Sequence, residues 1–411
     1  SSTNFYVESG GQVDDHGFLK LNDEYGCVSV KITNMMDVNG LLWHIGHLDT
    51  LSAAENMNVN VKKMSTIDNN LQQKDVNSLS CTWNIDQSRR DKINKNHTAT
   101  HLLNAALRRI VVQGGDKCRT DDCDYMNDVD DVDCNDENNS CDQRGSLVND
   151  HRLRFDFSLD RSLTYDQILN IEQVMNDWIH QNEEIYIEYI SLDSAKKNIH
   201  GLRAVFGEAY PDPVRVVSIG TPVTDLIVHD RELHRQQPTL PSLSTRPPTR
   251  SSSVEFCGGT HVDQTSDIQL VIICEEKGIS KGVRRVTCLT GDAALKSLKQ
   301  SQLIEEEIEY IEDLLHDDHH HGGSSRDYGS NESSKPCEHM LRDLSTKIDQ
   351  ASASLSYIKK VDFRQRMDQC IKILTARAKV QEKEAEEVLL NTILACLQNN
   401  DRIIHYRVEH T

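Results

Sequence analysis

The sequence predicts an α+β protein of three parts: a β-barrel-like N-terminal module over residues 1–86, a two-layer α/β core over 87–293, and a helical coiled-coil arm over 294–400. Three observations lead to this prediction. Short alternating runs fill the first part, strand and helix patterns follow one another in the second, and apolar residues recur at heptad spacing in the third. A chain of 411 residues is also longer than one ordinary core accommodates.

The N-terminal module is predicted from alternation between apolar and polar residues. Residues 27–32 form one of several short alternating runs with turn residues between them, which is typical of half-buried strands in a barrel-like module. The module opens with a glycine-containing stretch, Phe5-Tyr6-Val7-Glu8-Ser9-Gly10-Gly11-Gln12.

The core is predicted from a change of period along the chain. Helical spacing of apolar residues indicates a helix over 95–112, and clean alternation indicates a strand over 152–157. Thr164 and Gln167 resemble a capping box at the start of the next helix. Further strands are predicted over 213–220 and 270–274.

Two polar stretches, 116–142 and 228–253, are predicted to be disordered insertions because they contain too few apolar residues to build a core. The first holds eleven acidic and two basic residues. Its net charge of −9 is nearly half of the formal net charge of the chain, −20. Since so much of the charge is local, the whole-chain charge does not exclude a nucleic-acid partner.

The cellular setting is predicted from cysteine usage and hydropathy. Twelve irregularly spaced cysteines without a secretory segment fit a reducing compartment, so we expect a cytoplasmic protein, with a mitochondrial pool as the alternative. No apolar run reaches membrane-spanning length, and no membrane partner is expected.

The arm is predicted from a heptad pattern that follows a polar linker over 316–339. We favour an intramolecular helical hairpin over a dimer interface, and the oligomeric state stays open. We interpret residues 401–411 as the truncated start of a C-terminal domain, and we expect the chain to be part of a longer protein. The apolar positions recur at 3,4,3,4,3 spacing at Leu341, Leu344, Ile348, Ala351, Leu355 and Ile358.

One histidine pair and one cysteine–histidine pair, in different surroundings, predict a metal site. His97 and His101 lie on one face of the first predicted core helix, while Cys257 and His261 flank a Gly-Gly turn after a predicted strand. About one His-x-x-x-His pair is expected by chance in this composition. Three imidazoles and one thiolate nevertheless form a complete tetrahedral set for one Zn²⁺ ion.

The chemical role of such an ion is left open by the ligand types. Zn²⁺ activates a water, binds a substrate amine, or fixes the floor of a pocket. Residue 98 is Thr rather than the Glu of His-Glu-x-x-His, which disfavours a zinc peptidase with its built-in general base.

Together these motifs resemble the editing region of alanyl-tRNA synthetases and the free-standing AlaX proteins, over about residues 3–291. The glycine-containing stretch at 5–12 resembles the motif of the module before the editing core. Residues 96–103 and 253–262 resemble the two zinc motifs, and Gln143 to Val148 followed by 152–157 resembles the substrate-pocket segment. The stretch from 201 to 220 is similar to eukaryotic, cytosolic-type members in particular.

The resemblance implies a zinc-dependent aminoacyl-tRNA deacylase that hydrolyses Ser-tRNA(Ala) or Gly-tRNA(Ala), with tRNA(Ala) as partner. It implies His97, His101, Cys257 and His261 as the zinc ligands and places Gln143 at the position that discriminates the amino acid. Candidate phosphate contacts are four arginines that flank this region, Arg89, Arg90, Arg152 and Arg154.

Two other functions are compatible with the same motifs. One is a catalytically inactive, zinc-bound RNA-binding or interaction module whose pocket the insertions have altered. The other is an editing domain of the threonyl-tRNA synthetase type, which has similar paired zinc motifs; the glycine-containing stretch and the heptads favour the alanyl type. No adenylate-forming motif is visible, so ATP binding would belong to an aminoacylation domain absent from this chain.

Overall fold

The computed structural model describes residues 3–23, 26–38, 41–48, 80–112, 141–199, 201–204, 209–227, 253–317 and 334–398. The chain divides into two compact units, residues 1–297 and 298–411. The predicted insertions at 116–142 and 228–253 lie outside the described residues apart from Cys141, Asp142 and Ser253, and so do residues 401–411. None of the described helices combines the length and apolar content needed to cross a membrane.

The N-terminal module is an open antiparallel sheet in its described part. The strands β1 (Gly17–Asp23), β2 (Gly26–Val38), β3 (Leu41–Leu48) and β4 (Ser80–Ile85) are ordered β3-β2-β1-β4. Phe5, Ile32 and Met35 form its buried core. The prediction of a barrel-like module is therefore corrected, because no barrel closes among the described strands. Alternation shows which face of a strand is buried, whereas closure depends on edge pairing that alternation does not encode.

Helices and strands alternate through the core, as the sequence predicted. In chain order the elements are α1 (Gln87–Leu107), β5 (Gln143–Val148), β6 (Leu153–Ser158), α2 (Tyr165–His180), β7 (Ile185–Ile190), α3 (Leu192–Asn198), β8 (Val214–Ile219), β9 (Ser253–Phe256), β10 (Val271–Ser280) and β11 (Val283–Thr290).

A four-stranded antiparallel sheet, ordered β10-β11-β6-β5, carries the layer of helices α1 and α2. Leu153, Phe155 and Phe157 of β6 are fully buried, as are Ile168 and Ile171 of α2. The predicted capping box at the start of α2 is confirmed, because the Thr164 side chain accepts from the Gln167 backbone and the Gln167 side chain accepts in return. This arrangement is the two-layer α/β core.

A second core sheet, ordered β7-β8-β9, delivers the chain to the Gly-Gly turn. Its buried face packs Val214 and Val216 of β8 against Val254 and Phe256 of β9, with Ala195 of α3 beside them. Because β9 ends at Phe256, Cys257 is the first residue beyond a firmly packed strand.

The C-terminal unit consists of helices in its described part. It contains most of α4 (Gly291–Asp317), then α5 (Ser334–Ala351) and α6 (Tyr357–Gln398). Leu341, Leu344 and Ile348 of α5 pack with Ile308 of α4 and Phe363 of α6. The predicted heptad positions are divided between two helices, because α5 ends at Ala351 and Ile358 lies on α6, so a continuous coiled-coil seam stays a prediction. The predicted linker over 316–339 is shorter than expected, since α4 continues to Asp317 and α5 begins at Ser334.

Candidate metal centre

The helix α1 presents the first two candidate ligands. It begins earlier than the predicted residue 95, because the Asp86 side chain caps it by accepting from the Arg89 backbone at 3.0 Å. His97 and His101 lie one turn apart, and their ring centroids are 5.4 Å apart. Both side chains are buried, with relative exposures of 6% and 3%. The helix thus fixes two imidazoles on its inner face.

The turn after β9 presents the other two candidate ligands, Cys257 and His261. The guanidinium of Arg215 on β8 donates from Nη1 to the carbonyl oxygens of Cys257, at 2.6 Å, and Gly259, at 2.8 Å. Gly259 packs directly against the His97 ring, where a Cβ atom would lie 2.0 Å from Cε1. Only glycine fits at position 259, which explains the second glycine of the pair in physical terms.

The four side chains converge on one point. The ligand atoms of His97, His101, Cys257 and His261 all lie within 4.8 Å of one another. The Sγ atom of Cys257 is 3.3 Å from Nε2 of His97 and 3.3 Å from Nε2 of His261. Tetrahedral zinc with its usual bond lengths separates its ligand atoms by about 3.3–3.6 Å. The spacing therefore fits one metal ion of this size.

Each imidazole also has a partner or neighbour on its Nδ1 side. Nδ1 of His97 is 2.6 Å from Oε1 of Gln12, and Nδ1 of His261 is 3.2 Å from Oγ1 of Thr98. Nδ1 of His101 has no hydrogen-bond partner, although Oε2 of Glu255 lies 3.4 Å away. Partners of this kind orient the histidine ligands of metal sites. For His97 and His261 they leave Nε2 directed at the cluster.

The electrostatics keep the three imidazoles neutral. Burial is the main cause, and the charge of Arg215 adds to it. The pKa of His101 falls to about 4, and the pKa values of His97 and His261 fall well below their ordinary value. A neutral imidazole offers a lone pair to a metal without first losing a proton. The three imidazoles are thus ready for a cation at neutral pH.

The chain is similar to aminoacyl-tRNA synthetases over most of its length. A family model described as the threonyl and alanyl tRNA synthetase second additional domain matches residues 214–287, which include Cys257 and His261. Cytoplasmic alanine–tRNA ligase of Bombyx mori is 34% identical over 363 residues, covering 88% of this chain and 30% of the relative. Alanine–tRNA ligase of Candida albicans is 31% identical over 408 residues, covering 99% and 33%. The chain belongs to the alanyl-tRNA synthetase family.

The similarity extends to mitochondrial members of the family. Mitochondrial alanine–tRNA ligase of Saccharomyces cerevisiae is 32% identical over 312 residues, which cover 76% of this chain and 25% of the relative. The chain spans about a third or less of the length of these alanyl-tRNA synthetase relatives.

The predicted pocket residue Gln143 lies at the start of β5 and is half-buried. Its Nε2 donates to Oγ of Ser146 at 3.3 Å, and that hydroxyl donates to the carbonyl of Gly10 at 3.3 Å. Gln143 is thereby connected to the glycine-containing stretch that also contains Gln12. Its role toward a substrate stays a prediction.

The predicted phosphate contacts Arg89 and Arg90 are largely committed to bonds within the protein. Arg89 donates to the carbonyl of Asp14 and lies 3.7 Å from Asp150. Arg90 forms an ion pair with Asp15, including a 2.8 Å bond from Nε. Both side chains are mostly buried, so their evident role is to join α1 to the N-terminal module.

The other two predicted contacts, Arg152 and Arg154, have different surroundings. Arg152 is exposed. Arg154 lies on β6, and its buried Nε atom has no hydrogen-bond partner. A buried guanidinium nitrogen without a partner is costly, but an atom that is closed to solvent is also closed to an external phosphate.

Sequence reasoning missed three residues beside the ligands, Gln12, Arg215 and Glu255. Gln12 had a signal, because it ends the glycine-containing stretch that carried the family resemblance. Arg215 and Glu255 had only a weak one: each is a charged residue within an apolar strand pattern, which indicates a buried charge that needs partners. Asn104 and Ser253 hydrogen-bond Glu255, yet burial still raises its pKa to about 7.

Proposed function

We propose that this chain hydrolyses the ester bond joining a wrongly attached serine or glycine to the 3′-terminal adenosine of tRNA(Ala). The observation that carries the proposal is the convergence of three imidazoles and one thiolate in a member of the alanyl-tRNA synthetase family.

The need for such an activity is physical. A pocket built for the methyl group of alanine cannot exclude the smaller glycine by size, and it rejects the added hydroxyl of serine only weakly. A second, hydrolytic site removes these products after they are attached to tRNA.

In this proposal His97, His101, Cys257 and His261 hold one Zn²⁺ ion. When bound, such an ion supplies Lewis-acid chemistry at the ester or its attacking water. Gln143 offers an amide that can hydrogen-bond the hydroxyl of serine or the ester carbonyl.

Contacts to the tRNA backbone would come from basic side chains around the site. Arg152 is the first candidate because it is exposed, while Arg154 would contribute through its terminal guanidinium nitrogens, since its Nε is buried. Arg89 and Arg90 could contribute only by sharing with a phosphate the N–H donors that already bind Asp14 and Asp15.

The proposal extends to the parent protein in two respects. ATP-dependent aminoacylation is assigned to a domain outside the present chain. The location is cytoplasmic, with a mitochondrial pool as the alternative, since the relatives include cytoplasmic and mitochondrial proteins.

The test is hydrolysis of Ser-tRNA(Ala) and Gly-tRNA(Ala) by the purified chain, with Ala-tRNA(Ala) as the correctly charged comparison. Cys257→Ala should abolish hydrolysis of both mischarged species. His180→Ala, which alters an exposed histidine on α2, serves as the control and should leave it intact.

Two other outcomes would contradict the proposal and favour a different function. Binding of tRNA(Ala) without hydrolysis by the wild-type chain would support an inactive RNA-binding module. Preferential hydrolysis of Ser-tRNA(Thr) would instead support the threonyl type.

A further inference from the structure

The side chain of Gln12 bridges two parts of the candidate metal centre. It is fully buried. Its Oε1 accepts from the backbone N–H of Thr260 at 2.9 Å and lies 2.6 Å from Nδ1 of His97. Its Nε2 donates to Oγ1 of Thr260 at 2.9 Å. Gln12 therefore contacts both the ligand helix α1 and the ligand turn after β9.

These contacts determine where the protons lie. A backbone N–H can only donate, so the amide atom facing Thr260 must be the oxygen. The same oxygen faces Nδ1 of His97, which must then carry a proton. The lone pair of His97 consequently lies on Nε2, the atom that is 3.3 Å from Sγ of Cys257.

The loop that holds Gln12 is itself well fixed. The backbone of Gln12 donates to Ser9, and Gly11 and Val13 exchange hydrogen bonds with Val148 of β5. Gly11 has a positive φ of 85°, and a Cβ there would lie 2.3 Å from Oγ of Ser146. The amide of Gln12 is thus held by backbone bonds and by close packing of its neighbour.

We propose that Gln12 is a positioning residue of the metal centre, selecting the Nδ1–H tautomer of His97 and holding the turn at Thr260 against α1. This inference rests on the metal site of the proposed function. Under this proposal the N-terminal module contributes a residue to the metal site. Removing the Gln12 amide would free both the His97 ring and the turn at Thr260.

The first test measures the affinity of the full chain for Zn²⁺ by chelator competition and records the visible spectrum with Co²⁺. Gln12→Met keeps the length of the side chain and removes both polar atoms. We expect a 10- to 100-fold weaker affinity, as is typical when a partner of a ligating histidine is lost. Gln12→Glu retains an acceptor for His97 and should bind Zn²⁺ within about threefold of wild type.

Asp14→Ala is the matched control. Asp14 lies two residues along the same buried loop and accepts a 2.6 Å bond from the Met35 backbone. If loss of loop stability were the whole effect, Asp14→Ala would weaken Zn²⁺ binding as much as Gln12→Met does, and the proposal would be overturned. The same holds if Gln12→Met binds Zn²⁺ like wild type.

A second readout needs no metal. The ring ¹⁵N shifts of His97 in the metal-free chain should report a proton on Nδ1 in the wild type and a mixture of tautomers in Gln12→Met. An unchanged tautomer in Gln12→Met overturns the proposal. If wild type binds no divalent ion but the tautomer shifts as expected, the proposed metal site fails while the positioning of His97 by Gln12 stands.

Discussion

Replacing Arg215 with methionine removes the side chain that anchors the ligand turn. Its Nη1 donates to the carbonyls of Cys257 and Gly259, which lie on either side of Gly258. Methionine replaces the apolar stem of the arginine and cannot donate, so both carbonyls lose this partner. Hydrogen bonds from charged donors are worth about 1.5–3 kcal/mol each. Because Arg215 is only partly buried, water compensates part of the loss, and we expect about 2–4 kcal/mol for the pair.

We expect this loss of free energy to lower the affinity of the chain for Zn²⁺. A turn that is no longer anchored must be ordered when the metal binds, so even the lower value of about 2 kcal/mol would weaken Zn²⁺ affinity about 30-fold. Chelator competition on the purified chain measures this directly, and circular dichroism confirms that the variant is folded.

Arg284→Met provides a matched control for the loss of an arginine. Arg284 is also partly buried, and it binds Glu276 on β10 through bonds of 2.6 and 2.8 Å. The reasoning is refuted if Arg215→Met binds Zn²⁺ within threefold of wild type, or if Arg284→Met weakens binding equally.

Three further predictions address the ligands, the pocket and the core. His97→Ala and Cys257→Ala should each lose the one Zn²⁺ ion per chain that we expect, and full zinc content by elemental analysis in either variant would reject that ligand set. Gln143→Ala should slow hydrolysis of Ser-tRNA(Ala) severalfold, or change its ratio to that of Ala-tRNA(Ala), with zinc content unchanged; rates unaltered from wild type for both substrates would remove Gln143 from the pocket. Burial raises the pKa of Glu172 to about 7, although its carboxylate accepts a 2.7 Å bond from the Ile273 backbone. Its folded-state pKa lies above its unfolded value, so stability should fall as the pH rises from about 4.5 to about 7, by at most about 3 kcal/mol. Glu172→Gln should flatten that slope in denaturant titrations, and an unchanged slope would contradict the assignment.

The candidate ligands could be found from sequence because each pair is local. His97 and His101 are one helical turn apart, and Cys257 and His261 flank a Gly-Gly turn in which Gly259 leaves no room for a Cβ atom. Local periodicity likewise predicted α2 with its capping box and the strand β6.

What could not be predicted depends on pairing between distant segments. Gln12 meets Thr260 across 248 positions, and no local pattern reports such a contact. Arg89 and Arg90 resembled free basic residues, but the fold brings the loop at Asp14 and Asp15 beside them. The open form of the first sheet among its described strands belongs to the same class, since edge pairing is decided in three dimensions.

The separation of the two ligand pairs bears on how much extra chain the protein tolerates between them. A metal held by His97 and Cys257 would tie together positions 160 residues apart. The entropy of closing so large a ring grows only with the logarithm of its length. The acidic tract at 116–142 lies inside that interval, and its presence raises the closure cost by only about 0.2 kcal/mol. An insertion between the two ligand pairs therefore has almost no effect on the free energy of bringing the four ligands together.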